Sequence, residues 1–261
     1  MSSNASPSPT PPQQNLSALK TPALRLQPRF LWFFMVCYSM AIVLVNWFDA
    51  RMIRLAFVDT DAGALVFPLT FLLSDLMTEV YGYKRARLAI WCGFFFNFFY
   101  LGYGYLITLF PSPEYSIAHN QAFDALMAFN ARIIVASTLT YLVSEPLNSY
   151  IMAKLKIKLR GKHMGLRFLA STSISSAADS GMFGVLAFSG IMSLKELIFL
   201  IVTMWFIKVA TEFLGIPLSV YLAKKLKKAE QLDIYDRHTQ FGIFHLDTAY
   251  AASENEYSNT N

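Results

Sequence analysis

Five carboxylates of this chain lie inside apolar runs, where each costs at least a few kcal/mol unless something polar answers it. Asp75 and Glu79 stand one helical turn apart, on a face that also carries Ser74 and Thr78. Glu145 belongs to Ser144-Glu145-Pro146-Leu147-Asn148, with Ser137 and Tyr141 on roughly the same face. Asp179 continues a stripe of Thr172, Ser175 and Ser176, and Glu212 follows Lys208 by one turn. Arg132 and Lys208 are the cations set within these runs, and Asn97 adds an amide to the third run. A surplus of acceptors like this does not stay ionised and dry: protons neutralise part of it, or a cationic or donor-rich solute does. Asp75, Glu79, Asn97, Arg132, Glu145, Asn148, Asp179, Lys208 and Glu212 are therefore the candidate substrate-binding residues. Structural readings stand beside this one. Asp75 or Glu79 could pair with Arg132 or Lys208, and Lys208 could cancel Glu212 within one helix. Arg132 falls about 140° around a helix from Glu145, at about 100° per residue, so it is expected to answer a carboxylate on another segment.

The elements that must position these groups are membrane helices. Of 261 residues, 55% are hydrophobic and 15% charged, with a mean hydropathy of +0.40, whereas a soluble domain is nearer a quarter charged. Six apolar runs approach the roughly 20 residues that cross a bilayer as helix. They fall near Phe30 to Phe48, Ala62 to Tyr81, Leu88 to Phe110, Met127 to Ala153, Phe168 to Phe188 and Leu194 to Leu222. The fold expected is an all-α membrane protein with six transmembrane helices over 30–222. Seventeen of the 22 basic residues fall in the N-terminal tail, the second and fourth connections and the C-terminal tail. The positive-inside rule then makes both termini cytoplasmic and removes the need for nucleic acid to explain the net charge of +5. Residues 1–29, rich in Ser, Pro, Asn and Gln, should be a disordered tail, and 223–261 a polar cytoplasmic tail without a readable motif. Pro68, Pro146 and Pro217 suggest broken helices around a midplane site. Cys37 and Cys92 have no metal or redox spacing, and no cofactor is expected. The bilayer and a small-molecule solute are the expected partners, with homo-oligomer formation left open.

The stretch from Phe67 to Arg87 resembles the signature region of the queuosine precursor transporters. Arg132-Ile-Ile-Val-Ala-Ser137 is similar to that family's Arg-x-x-x-Ala-Ser segment. Ser144 to Ser149, followed by Lys154-Leu155-Lys156, is similar to its Gly-Glu-Phe-Leu-Asn-Ser stretch. Ser171-Thr172 with Asp179, and Lys208, Glu212 and Pro217, resemble its last two helices. The resemblance implies a non-enzymatic six-helix importer in the bacterial inner membrane. Its implied cargo is 7-cyano- or 7-aminomethyl-7-deazaguanine, salvaged for the queuosine modification of tRNA. Ser144, Ser175, Ser176 and Pro146 depart from the family pattern, which bears on ligand choice within that class. Two rivals remain. One is a substrate-binding membrane subunit of an ATP-driven importer, which would need a separate nucleotide-binding partner because no phosphate-binding Gly-x-x-x-x-Gly-Lys-Ser/Thr loop occurs here. The other is an intramembrane enzyme with Asp75 and Asp179 as an acid–base pair.

Overall fold

A computed structural model describes residues 28–48, 51–55 and 58–257. The expected disorder of the N-terminal tail lies outside the described residues up to 27. Six helices follow in order: α1 Leu31–Phe48, α2 Phe67–Tyr81, α3 Tyr83–Thr108, α4 Ile117–Lys158, α5 Met164–Phe188 and α6 Leu194–Glu230. Between α1 and α2 lies a small antiparallel hairpin, β1 Met52–Leu55 with β2 Val58–Asp61, in the register Met52 to Asp61. The all-α expectation missed it. Its ladder sets Arg54 opposite Asp59 in register.

Four helices are long and apolar enough to cross a membrane: α1, α3, α4 and α6. They turn large side chains outward, among them Trp32, Phe98, Phe99, Phe206 and Phe213. That surface suits hydrocarbon and would be unusual on a soluble protein. The other two helices face inward. α2 is only 15 residues long, and every residue from Leu73 to Tyr81 is buried. α5 carries the serine-rich stripe, and Ser171, Thr172, Ser175, Ser176 and Ser180 are all buried. α2 touches α1, α3, α4 and α6, so it forms the inner post of the bundle, while α5 lies between α4 and α6.

The prolines do not break the bundle. Pro68 stands in the first turn of α2, where the missing N–H would have no helical partner in any case. Pro146 and Pro217 sit inside helices that continue on both sides. α4 runs for 42 residues and α6 for 37, so both outreach the expected spans. α6 continues to Glu230, eight residues past its expected end. The chain then folds back across the basic end of the bundle instead of trailing away, with Leu232, Ile234, Tyr235 and Tyr250 buried.

Candidate functional site

Four helices bring polar side chains to one buried zone. On α2 the one-turn spacing of Ser74, Asp75 and Thr78 meets the same spacing of Glu145, Asn148 and Ser149 on α4. Ser74 Oγ donates to Glu145 Oε2 at 2.8 Å, Asn148 Nδ2 to Asp75 Oδ1 at 3.1 Å, and Thr78 Oγ1 to Ser149 Oγ at 3.0 Å. α5 joins from the other side of α4. Ser144 Oγ donates to Asp179 Oδ1 at 3.0 Å, and Ser175 Oγ donates to Asn148 Oδ1 at 3.3 Å. Asn148 is therefore fixed at both ends of its amide. α6 completes the ring by placing Lys208 on Asp179 and Glu212 within hydrogen-bonding reach of Asp75. The Lys208 ammonium also lies over the Phe67 ring, 4.6 Å from its centroid.

Asp75 and Glu212 decide what this zone can do. Asp75 is 0% exposed and Glu212 5%. Asp75 Oδ2 and Glu212 Oε1 have no donor among the described residues. Two acceptor-only groups facing each other need a proton or a pair of N–H donors between them. The Tyr38 hydroxyl is buried beside Glu145 and Tyr141. The cluster thus offers four carboxylates, one ammonium, an oriented amide and several hydroxyls inside an apolar shell. Chemically, such a set of acceptors can take up N–H or O–H donors.

Three sequence candidates stand elsewhere. Glu79 points to the basic end of the bundle, where its Oε1 meets Arg167 at 2.9 Å, Lys227 at 2.6 Å and Lys156 at 3.8 Å. Neither Arg132 nor Lys208 is its partner. Asn97 accepts from Asn46 at 2.9 Å and donates to Thr138 at 2.6 Å, tying α1, α3 and α4 together. Arg132 is exposed and answers no carboxylate among the described residues, contrary to expectation. It donates to the Leu186 and Ser189 carbonyls at 3.1 and 2.7 Å and so serves the unpaired C-terminal end of α5. Lys208 chooses Asp179 over Glu212, so the alternative of an internal pair within α6 is not realised. Arg167, Lys156 and Lys227 were read only as topology charges. A helical stripe carried the signal: Arg167, Ser171 and Ser175 repeat every four residues on α5, and Glu145, Ser149, Met152 and Lys156 follow one face of α4.

Residues 61–222, more than half of the chain, match the family described as "Putative vitamin uptake transporter". The chain belongs to this family. It is also similar to the "Probable queuosine precursor transporter" of Bacillus subtilis (strain 168), with 25% identity over 202 residues, 76% of this chain and 83% of that one. No solved structure matches it. Membership makes the protein a multi-pass membrane transporter and not an enzyme. The family match covers α2, α4, α5 and α6 as far as residue 222, while α1, the end of α6 and the folded segment after it fall outside.

Proposed function

We propose that this transporter imports a 7-deazaguanine precursor of queuosine, and that Asp75 and Glu212 read the donor edge of the base. The observation that carries the reading is the buried Asp75–Glu212 pair, whose facing oxygens have no donor among the described residues. A guanine-like edge offers N1–H and N2–H side by side, which two adjacent carboxylate oxygens can accept together. Asn148, held by Ser175, presents its amide next to Asp75. Phe67 and Tyr38 add aromatic surface beside Lys208 and Glu145. Where the cargo carries an aminomethyl group, Glu145 and Asp179 would answer its charge. The similarity to a protein named as a queuosine precursor transporter supports this cargo class. The six helices are read as six spans, with α2 enclosed by α1, α3, α4 and α6. The basic end, where the start of α1, the end of α6 and both basic connections lie, is read as cytoplasmic by the positive-inside rule, in the inner membrane of a bacterium.

The test is queuosine content of tRNA in a bacterium that lacks both precursor synthesis and its own transporter, expresses this chain, and is fed low concentrations of each deazaguanine. Restored queuosine, lost again with Asp75→Ala, supports the assignment. No restoration despite confirmed membrane expression would move the cargo to another planar solute.

A further inference from the structure

The segment after α6 makes contacts that a passive tail has no reason to make. Asp233 Oδ1 lies 2.6 Å from Lys156 and 2.7 Å from Lys227, the two lysines that also face Glu79. The Lys156 ammonium is threaded between backbone carbonyls, donating to Glu79 at 2.5 Å and to Ile234 at 2.7 Å. At the corner between α2 and α3, Gly82 adopts φ +83°, and the Tyr250 hydroxyl and Ile234 side chain fill the space a Cβ would need. Tyr250 accepts there from the Lys84 N–H at 2.8 Å and donates to Asp236 at 2.6 Å. Burial and the Asp236 charge push its phenol well above the usual range, so it remains a donor. Tyr235 packs in the same way against Gly161, which has φ +74°. Arg87 on α3 donates to the carbonyls of Gln240, Gly242 and Asp247. One segment therefore bridges the ends of α2, α3, α4 and α6.

We propose that residues 231–257 are a latch that holds the basic end of the bundle shut, and that Asp233 must leave Lys156 and Lys227 before the polar zone can open on that side. The proposal rests on the transporter reading, because a solute leaving toward this end must part the helices that the segment ties together. Glu79 lies one turn from Asp75, so the cations around it stand directly in that exit. The segment is held by ion pairs, cation–π contacts and backbone carbonyls together with the buried side chains of Leu232, Ile234, Tyr235 and Tyr250. When it lifts, Asp233 returns to water and the lysines keep Glu79 as partner, so neither state strands a charge. Two arrangements with their own partners make a switch.

Two measurements on the full chain test the latch, both in a Cys37→Ser, Cys92→Ser background. In the first, Lys84→Cys and Asp247→Cys are joined by a short bis-maleimide that replaces the ion pair now at 2.9 Å. Uptake into vesicles should fall roughly tenfold or more, since the open state is removed from the population. A chain carrying one of the two cysteines, treated alike, should keep its rate. Cross-linked chains that transport at the uncross-linked rate overturn the latch. In the second, Ser149→Cys is labelled by a membrane-impermeant maleimide from the basic side, with and without Asp233→Asn. Labelling should quicken severalfold with Asp233→Asn, and an unchanged rate overturns the proposal. This readout needs no cargo. If the chain carries no deazaguanine at all, the cargo reading fails while the labelling still decides the latch.

Discussion

The zone around Asp75 and the cluster around Glu79 are one helical turn apart on the same short helix, yet they solve opposite electrostatic problems. Around Asp75, four carboxylates meet one ammonium, and facing oxygens are left without donors. Around Glu79, two carboxylates meet Arg167, Lys156 and Lys227. The first arrangement has more carboxylates than cations to balance them. The second is balanced in charge, although Glu79 Oε2 and the Arg167 Nε and Nη1 have no hydrogen-bond partner among the described residues. Nearby cations, rather than burial, helix position or complete hydrogen bonding, are what separate Glu79 from Asp75.

The most damaging way to test the contrast is to remove Glu79. Glu79→Gln leaves three cations facing one carboxylate, one of them the fully buried Arg167. A loss of about 3–5 kcal/mol is expected, as for breaking a buried pair. It should be seen as a steep fall in Tm in detergent, with uptake declining in step. Asp75→Asn should do the reverse. Its amide can give Glu212 the hydrogen bond that is missing, so Tm holds or rises while uptake falls roughly 10- to 100-fold for the misplaced donor. Equal behaviour of the two variants in both assays would erase the distinction drawn here. Arg132→Met should cost about 1 kcal/mol through the lost bonds to the end of α5 and leave the affinity for cargo unchanged. A changed affinity in equilibrium binding would return Arg132 to the site.

The smallest effect concerns the latch. The hydrogen bond from Lys84 holds the Asp247 carboxyl below the usual carboxylate range, with the Ala249 N–H adding to it. A lowered value in the folded state contributes stability that is full above the unfolded value of about 3.9 and is lost as pH falls below it. Pepsin cleavage within 231–257 should therefore quicken as pH drops below that point. Asp247→Asn, which has nothing to titrate, should flatten the dependence.

Much of the polar zone was legible because helical spacing is strict. Residues three and four apart must share a face, so Asp75, Glu145, Asn148, Asp179, Lys208 and Glu212 announced inward stripes, and the structure brings all six together. Which stripe meets which was not legible. Lys208 had carboxylates on four helices to choose from, and spacing within α6 left Glu212 as one open choice while Asp179 is its partner. The three-cation surround of Glu79 depends on residues up to 148 positions away, and lysines at a membrane border read as topology whatever else they do. The segment after α6 was opaque for another reason: it has no period. Its fit to the bundle lies in single side chains such as Tyr250 and Asp233, each matched to a particular glycine or lysine.

The inward burial of α2 has a consequence for how the protein is made. At 15 residues, with Ser74, Asp75, Thr78 and Glu79 along it, this helix has too little apolar surface to leave the aqueous translocation channel for lipid unaided. It can settle only against partners that arrive from later in the chain: α4 supplies Asn148 and Ser149, and α6 supplies Glu212. During synthesis α2 must therefore wait, sheltered by α1 and α3, until more than a hundred further residues have been translated. The polar helix at the centre of the bundle is then the last to find its place.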